Sequence, residues 1–539
     1  MITFTLGRPA AAQRARRSRT RLSHLAITLL VALMATALAA CGAVNNRTGS
    51  MPDELRIGTN EFTDGLEATR TSNADAQLQY LIYDTLILRD PFSEEVKFLP
   101  GLAESWKQTK PKVWELQLRQ GVKFHDGTTM TAEDVAFSLN RIFENKDPRF
   151  ANAYGRYFNT FDRVEVIDET HVRILMKKAD PLVEHFLSDL SGAITSKAYI
   201  EKVGADAADL KPVGTGPYKV ASFKPGESAT LERFDDYWGE KAPLKKVTFT
   251  YTPEIASRVT AIANDEIDFA VGIPTDQRSA LKGRQVNLID TIYPIYHVIV
   301  MNMGNAYMGA HPKLRQALDL AIDRDALNEA LWDGKGEVPT SLQFPDYGDL
   351  YLPDVKTIGY DKKRAQELVK ESGYDGTKIV IANRSEYYVN IDLALQAVVD
   401  MWKDIGVDAQ VKNVPDVNAI PDPDVMVRTW SNPLYYPDPM GLIGASWGPD
   451  IWTSTRGLWQ PQDPEWATNF EIARFSEDVD ERKDAIRKLN EIAKEEAGFS
   501  LLYAPNEYTA VRDDLAYRIP KNYRPYTIAL RAGELTMAD

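Results

Sequence analysis

Leu118-Arg119-Gln120-Gly121-Val122-Lys123-Phe124-His125-Asp126-Gly127, followed by Thr131-Ala132-Glu133-Asp134-Val135, is the stretch whose reading decides the fold. Just before it, Trp114-Glu115-Leu116-Gln117-Leu118 alternates with period two, as a strand with one buried face does. Val122-Lys123-Phe124-His125 then enters Asp126-Gly127, a turn pair whose glycine tolerates positive φ. The Thr131 hydroxyl is placed to cap a helix running through Val135, Leu139 and Ile142, with an acid in its first turn. Outward from here the same alternation continues. Leu55 to Thr59 and Lys378 to Ala382 read as strands, Pro212-Val213-Gly214-Thr215-Gly216-Pro217-Tyr218 as a rigid turn entering a strand, and Leu314 to Leu327 and Asp361 to Glu371 as amphipathic helices. With no internal repeat and no low-complexity stretch, an α/β architecture follows.

The chain has 539 residues, 44% of them hydrophobic and 10% aromatic. That is too many for one core, so two or more lobes are expected. Its single cysteine, Cys41, follows Leu38-Ala39-Ala40 at the end of an apolar run from Leu25, itself preceded by six arginines and no acid. This is a secretory leader, residues 1–40, ending in a lipobox, with the apolar run too short for a comfortable membrane span. Lipidation of Cys41 would anchor the protein outside the cytoplasm through acyl chains. It would also use up the only thiol, excluding disulfides and cysteine catalysis. Residues 41–52 read as a flexible tether. Loss of residues 1–40 removes six positive charges and moves the formal charge from -14 to -20. No basic stripe is present, which argues against nucleic acid.

The ordered motifs resemble one family: Leu102-Ala103-Glu104-Ser105-Trp106, the two stretches quoted first, Val213-Gly214-Thr215-Gly216-Pro217-Tyr218, Asp236-Tyr237-Trp238-Gly239, Arg315-Gln316-Ala317-Leu318 with Ala321-Ile322-Asp323-Arg324, and Tyr360-Asp361 with Gly406-Val407. They resemble the family 5 extracellular solute-binding proteins, the dipeptide, oligopeptide, nickel-chelate and opine receptors of ABC importers. The resemblance implies a two-lobed periplasmic-binding-protein-like fold of the class II, cluster C type, with an extra subdomain in the first lobe. Residues 53–83, 191–273 and 507–539 would form the first lobe, 84–190 the extra subdomain and 274–506 the second lobe. It implies a monomer that closes about a hinge on its ligand and delivers it to permease subunits driven by cytoplasmic ATPases.

Arg428-Thr429-Trp430-Ser431-Asn432-Pro433-Leu434-Tyr435-Tyr436-Pro437-Asp438-Pro439, read as a proline-broken loop, combines apolar walls with a few orienting polar groups, as a small-molecule pocket requires. Arg428, Thr429, Trp430, Asn432, Tyr435, Tyr436 and Asp438 are its candidate contacts. In peptide-binding relatives an aspartate three residues after this tryptophan pairs with the ligand's amine; here Pro433 stands there. Either Asp438 takes over or the ligand lacks that amine, since a buried unpaired ammonium costs several kcal/mol. Glu61 and Phe62 after the first strand, Arg384 as a bidentate carboxylate holder, and the aromatics Trp447 and Tyr508 complete the candidates. The open cleft is expected to be acidic and lined by aromatics. Peptides come first as ligand, with a carboxylated opine, metal chelate or sugar conjugate as the alternative.

Gly444-Ala445-Ser446-Trp447-Gly448 matches the G-x-S-x-G form of a hydrolase elbow, but Pro449-Asp450 follows at once and leaves no helix behind Ser446. There is no H-E-x-x-H, no phosphate-binding loop and no G-x-G-x-x-G, so neither cofactor, metal nor catalysis is expected. A lipoprotein that senses or assists folding on the same scaffold remains the third class.

Overall fold

The computed structural model describes residues 50–538 apart from 71–72, 145, 386, 522, 524–526 and 529. The leader, the Cys41 lipidation site and most of the tether lie outside the described residues. From Met51 onward the chain is one compact unit. Among the described residues no helix is long and apolar enough to cross a membrane.

Three sheets organise it. The first has seven strands in the order Val286–Ile292, Asn506–Arg512, Phe269–Ile273, Glu54–Thr59, Lys246–Tyr251, Ser228–Arg233 and Tyr218–Lys224. The second has five, in the order Ala409–Asn413, Ile379–Asn383, Val427–Pro433, Ile295–Met301 and Phe499–Tyr503. The third is an antiparallel sheet of Ala103–Lys110, Val113–Leu118, His171–Met176 and Phe161–Val166. Because Val286–Ile292 pairs with Asn506–Arg512, the first sheet extends past residue 273. The chain crosses between the first two sheets at Tyr293-Pro294 and returns at Ala504-Pro505. Both crossings are two residues long, and the pairings Ile292 with Asn506 and His297 with Tyr503 hold them side by side.

The deciding stretch folds as its residues require. Thr131 caps helix Ala132–Phe143 in a capping box: its hydroxyl accepts from the Asp134 N–H, and the Asp134 carboxylate accepts from the Thr131 N–H. Val135, Leu139 and Ile142 are fully buried on one face of that helix, each contributing roughly 1.5–3 kcal/mol. His125 joins two of the sequence motifs. Its Nδ1 accepts from the Gly214 N–H at 3.3 Å and its Nε2–H donates to the Gly216 carbonyl at 3.0 Å, which fixes the tautomer. Gly214 and Gly216 must be glycine, because a Cβ at either would sit 2.2 or 2.5 Å from the backbone of Ile82. Asp84, whose side chain is fully buried, gathers Thr215, Tyr237, Trp238 and Arg531 around its carboxylate at 2.8–3.2 Å. That is the structural work of the Asp236-Tyr237-Trp238-Gly239 motif.

Two local expectations are corrected. The helix expected over Leu314 to Leu327 is two helices, Pro312–Leu320 and Arg324–Trp332. Asp323 starts the second by accepting from the Ala326 N–H, and the Arg324 side chain turns inward to the Leu501 carbonyl. The segment expected as a loop is the strand Val427–Pro433, paired along its whole length with Ile295–Met301, followed after Asp438 by helix Pro439–Trp447. The cross-strand partner supplies the backbone hydrogen bonds that local sequence could not reveal.

Candidate functional site

A cavity of about 560 Å³ opens where the territories of the three sheets meet, within the ~300–1,000 Å³ of sites that enclose small ligands. Strand Val427–Pro433, central in the second sheet, provides its floor through Arg428, Thr429, Trp430, Ser431 and Pro433. Glu61, Thr69 and Arg70 come from the segment after the first strand, and Arg149 and Arg156 from the region between the strands of the third sheet. Tyr387, Tyr388 and Arg384 follow strand Ile379–Asn383, and Trp452 and Arg456 lie beyond helix Pro439–Trp447.

Rings and guanidinium groups are interleaved on these walls. Trp452 lies 5.5 Å from Trp430 and carries Arg428 and Arg456 at 4.8 and 5.0 Å from its ring centre. Arg156 lies over Tyr435 at 4.4 Å and Arg384 over Tyr387 at 4.6 Å. Each contact contributes about 0.5–2 kcal/mol according to its desolvation. Arg428 Nη2 donates to Asn418 Oδ1 at 3.0 Å, and the Tyr388 hydroxyl donates to Ser431 Oγ at 2.9 Å. The Glu61 carboxylate, above all, pushes the Tyr387 hydroxyl up, and burial does the same for Tyr388. Both phenols therefore stay protonated and able to donate.

Of the residues proposed from sequence, Glu61, Arg384, Arg428, Thr429, Trp430 and Tyr435 line this cavity. The other six lie elsewhere. Phe62 packs on Phe223 against the core of the first sheet. Asn432 is fully buried, donating to Ser446 Oγ and accepting from Trp447 Nε1. Tyr436 is buried between Tyr157, His185 and Phe186. Trp447 stacks on Phe499 at 3.8 Å with no exposure. Tyr508 lies in the first sheet, its hydroxyl accepting from Lys335 and Arg278. Asp438 is buried, binding Arg482 through both oxygens at 2.9 and 2.8 Å while capping helix Pro439–Trp447. It therefore cannot replace the acid missing at Pro433. Asn432 shares a strand face with Trp430, but its amide is taken up by Ser446 and Trp447 of the following helix.

Arg70, Arg149, Arg156, Asp416, Asn418, Trp452 and Arg456 were not singled out from sequence. For Arg149 and Arg156 no local signal exists. For Trp452 and Arg456 an aromatic and a cation four residues apart was the only hint. The expected acidic cleft is also corrected: six arginines and two acids, Glu61 and Asp416, line the cavity.

Three sheets, two short crossings and a cavity at their meeting point define a two-lobed solute-binding protein. Residues 97–454 match the profile of the bacterial extracellular solute-binding proteins, family 5, and the chain belongs to that family. The oligopeptide-binding protein AppA of Bacillus subtilis (strain 168) is 26% identical over 548 residues, covering 93% of this chain and 96% of that one. The glutathione-binding protein GsiB of Shigella flexneri serotype 5b (strain 8401) is 29% identical over 323 residues. That match spans 59% of this chain and 62% of the relative's length. Among solved structures, the periplasmic binding protein DppA of Helicobacter pylori in complex with the peptide STSA superposes with a TM-score of 0.81 at 20% identity, covering 91% of this chain and 99% of that one. The protein is a binding protein and not an enzyme. Ser446 is fully buried inside helix Pro439–Trp447, its Oγ held by Asn432, and presents no nucleophile to solvent.

Proposed function

We propose that the protein is the extracytoplasmic receptor of an ABC importer, held to the membrane by lipid on Cys41, that captures short peptides in the cavity above strand Val427–Pro433. The observation that carries this reading is the cavity itself: tryptophan and tyrosine rings for apolar side chains, hydroxyl and guanidinium donors for carbonyls and a carboxylate, and Glu61 and Asp416 for an amine. Relatives along the chain that bind oligopeptides and glutathione support the same ligand class.

The mechanism is reversible capture. Tyr293-Pro294 and Ala504-Pro505 are the two strands of a hinge, and their prolines limit its motion to the neighbouring backbone torsions. A peptide lying on Trp430 meets Arg149 and Arg156 from the opposite wall only when the lobes are together. Contacts made in one state alone shift the equilibrium towards it. The closed complex is then recognised by permease subunits, whose cytoplasmic ATPases supply the work. No bond is made or broken in the receptor.

The test is titration calorimetry of the purified full chain with short peptides, with and without Trp430→Ala. Loss of one half-exposed ring face costs about 1–3 kcal/mol, so affinity should fall about tenfold or more at unchanged unliganded melting temperature. Equal affinity in the variant would refute the assignment of this cavity.

A further inference from the structure

Residues 84–190, which carry the third sheet, enter and leave the chain on the side of the first sheet. They begin after helix Asn73–Ile82 and end before strand Tyr218–Lys224. Buried bonds hold them there: Asp84 among its donors, His125 on Gly214 and Gly216, and Arg141 on Glu67 at 2.7 Å. A rotation at Tyr293-Pro294 and Ala504-Pro505 therefore carries this segment with the first sheet. Its contact with the second lobe is non-covalent and must part when the cavity opens.

That contact is built like a core. Tyr157 and Phe186 of the segment are fully buried, with ring centres 6.0 and 5.4 Å from that of Tyr436 in the second lobe. Beside them Asp180 binds both terminal nitrogens of Arg474 at 2.5 Å, with the two side chains 0 and 7% exposed. Arg474 also lies over Phe186 at 5.0 Å, so the ion pair and the ring cluster are continuous. At the rim Lys178 pairs with Glu471, and Asn159 Nδ2 donates to Asp450 Oδ2 at 3.2 Å. Asp180, Arg474, Lys178 and Glu471 all lie outside the lining of the cavity. Separating the two surfaces exposes rings to water and breaks an ion pair formed in a low-dielectric setting, so it is costly with or without ligand.

We infer that Asp180, Arg474 and the rings around Tyr436 form a latch that holds the receptor closed before any ligand arrives, so that the parting of this surface sets the rate of ligand exchange. The inference rests on the receptor reading and adds to it a resting state and a rate-limiting step. When the form that admits ligand is a small fraction of the whole, apparent binding is reduced by that fraction. The observed association rate then levels off at the opening rate as ligand concentration rises. Weakening the latch, at positions away from the cavity, speeds both entry and release.

The experiment places spin labels at Leu210→Cys and Leu393→Cys, exposed sites on the first and second lobes, in the full chain carrying Cys41→Ala. Pulsed electron resonance reads their separation without and with trialanine, and stopped-flow fluorescence reads trialanine association. With the latch intact and no trialanine, one distribution is expected, at the separation of this structure. Arg474→Met should raise the open fraction at least tenfold. Lys178→Glu, an exposed substitution facing Glu471 that leaves the core untouched, should raise it about threefold. The association rate should level off with trialanine concentration, at a higher plateau in both variants. A mainly longer separation in the unliganded chain would overturn the latch, and so would a rate that climbs linearly with concentration. Failure of trialanine to bind would count against the peptide reading alone, because the unliganded separations decide the latch.

Discussion

The ion pair between Asp180 and Arg474 joins the third sheet's region to the helices packed on the second, and its removal has a calculable cost. The Asp180 side chain is fully buried and that of Arg474 is 7% exposed. Both guanidinium nitrogens reach the carboxylate at 2.5 Å, and Asp180 also accepts from the Thr160 hydroxyl at 2.7 Å and the Leu182 N–H at 2.9 Å. Arg474→Met leaves a buried carboxylate with two donors instead of four. Breaking a buried pair costs about 3–5 kcal/mol. The two remaining donors bring the figure towards the lower end, while the lost ring contacts with Phe186 and Phe475 add about 0.5–1 kcal/mol. The net expectation is about 3–4 kcal/mol. Asp180→Asn combined with Arg474→Met should recover about 2 kcal/mol relative to the sum of the single variants, because no unpaired charge remains. Urea unfolding followed by tryptophan fluorescence, as a double-mutant cycle, measures both quantities. A single-variant cost below about 1 kcal/mol, or strict additivity, would refute the claim that this pair ties the two regions together.

Stability should fall steeply in acid. Burial pulls the imidazoles of His125 and His185 down to about 4 and that of His297 to about 3, from an ordinary value of 6.5. Through these three groups the folded chain binds fewer protons than the unfolded chain below pH 6.5, offset in part by the buried Glu534, whose carboxyl burial pushes up to about 7. Their contribution to stability is intact above that pH and is lost as pH falls through 6.5 towards 4 and 3, at up to about 1.4 kcal/mol per pH unit for each histidine. His297→Phe, at a position packed between Tyr388 and Tyr503, should reduce the slope of unfolding free energy between pH 6 and 4.5 by about that amount; an unchanged slope would show that His297 is not held neutral. Separately, Cys41→Ala should release the protein from membranes into the soluble fraction with ligand affinity intact, measured by fractionation and calorimetry. Retention in the membrane fraction would exclude lipid on Cys41 as the anchor.

Local residue patterns were enough to establish the α/β class, the capped helix after Asp126-Gly127 and the family. Capping, turn formation and period-two alternation act within a few residues, and the Gly214-Thr215-Gly216 turn carries its steric requirement in its composition. Half of the proposed site was also legible, because Arg428, Trp430 and Tyr435 combine ring and charge within one short segment. Only tertiary structure decided the rest. Asn432 lies on the same strand face as Trp430 but is withdrawn from the cavity by Ser446 and Trp447, side chains of a helix 14 and 15 residues further on. Asp438 looked like a ligand partner until Arg482, 44 residues away, claimed it. The arginine-rich character of the cavity could not be read along the chain at all: net charge sums over the whole molecule, whereas a ligand meets the few side chains that folding brings from Arg70, Arg156, Arg384 and Arg456 to one place.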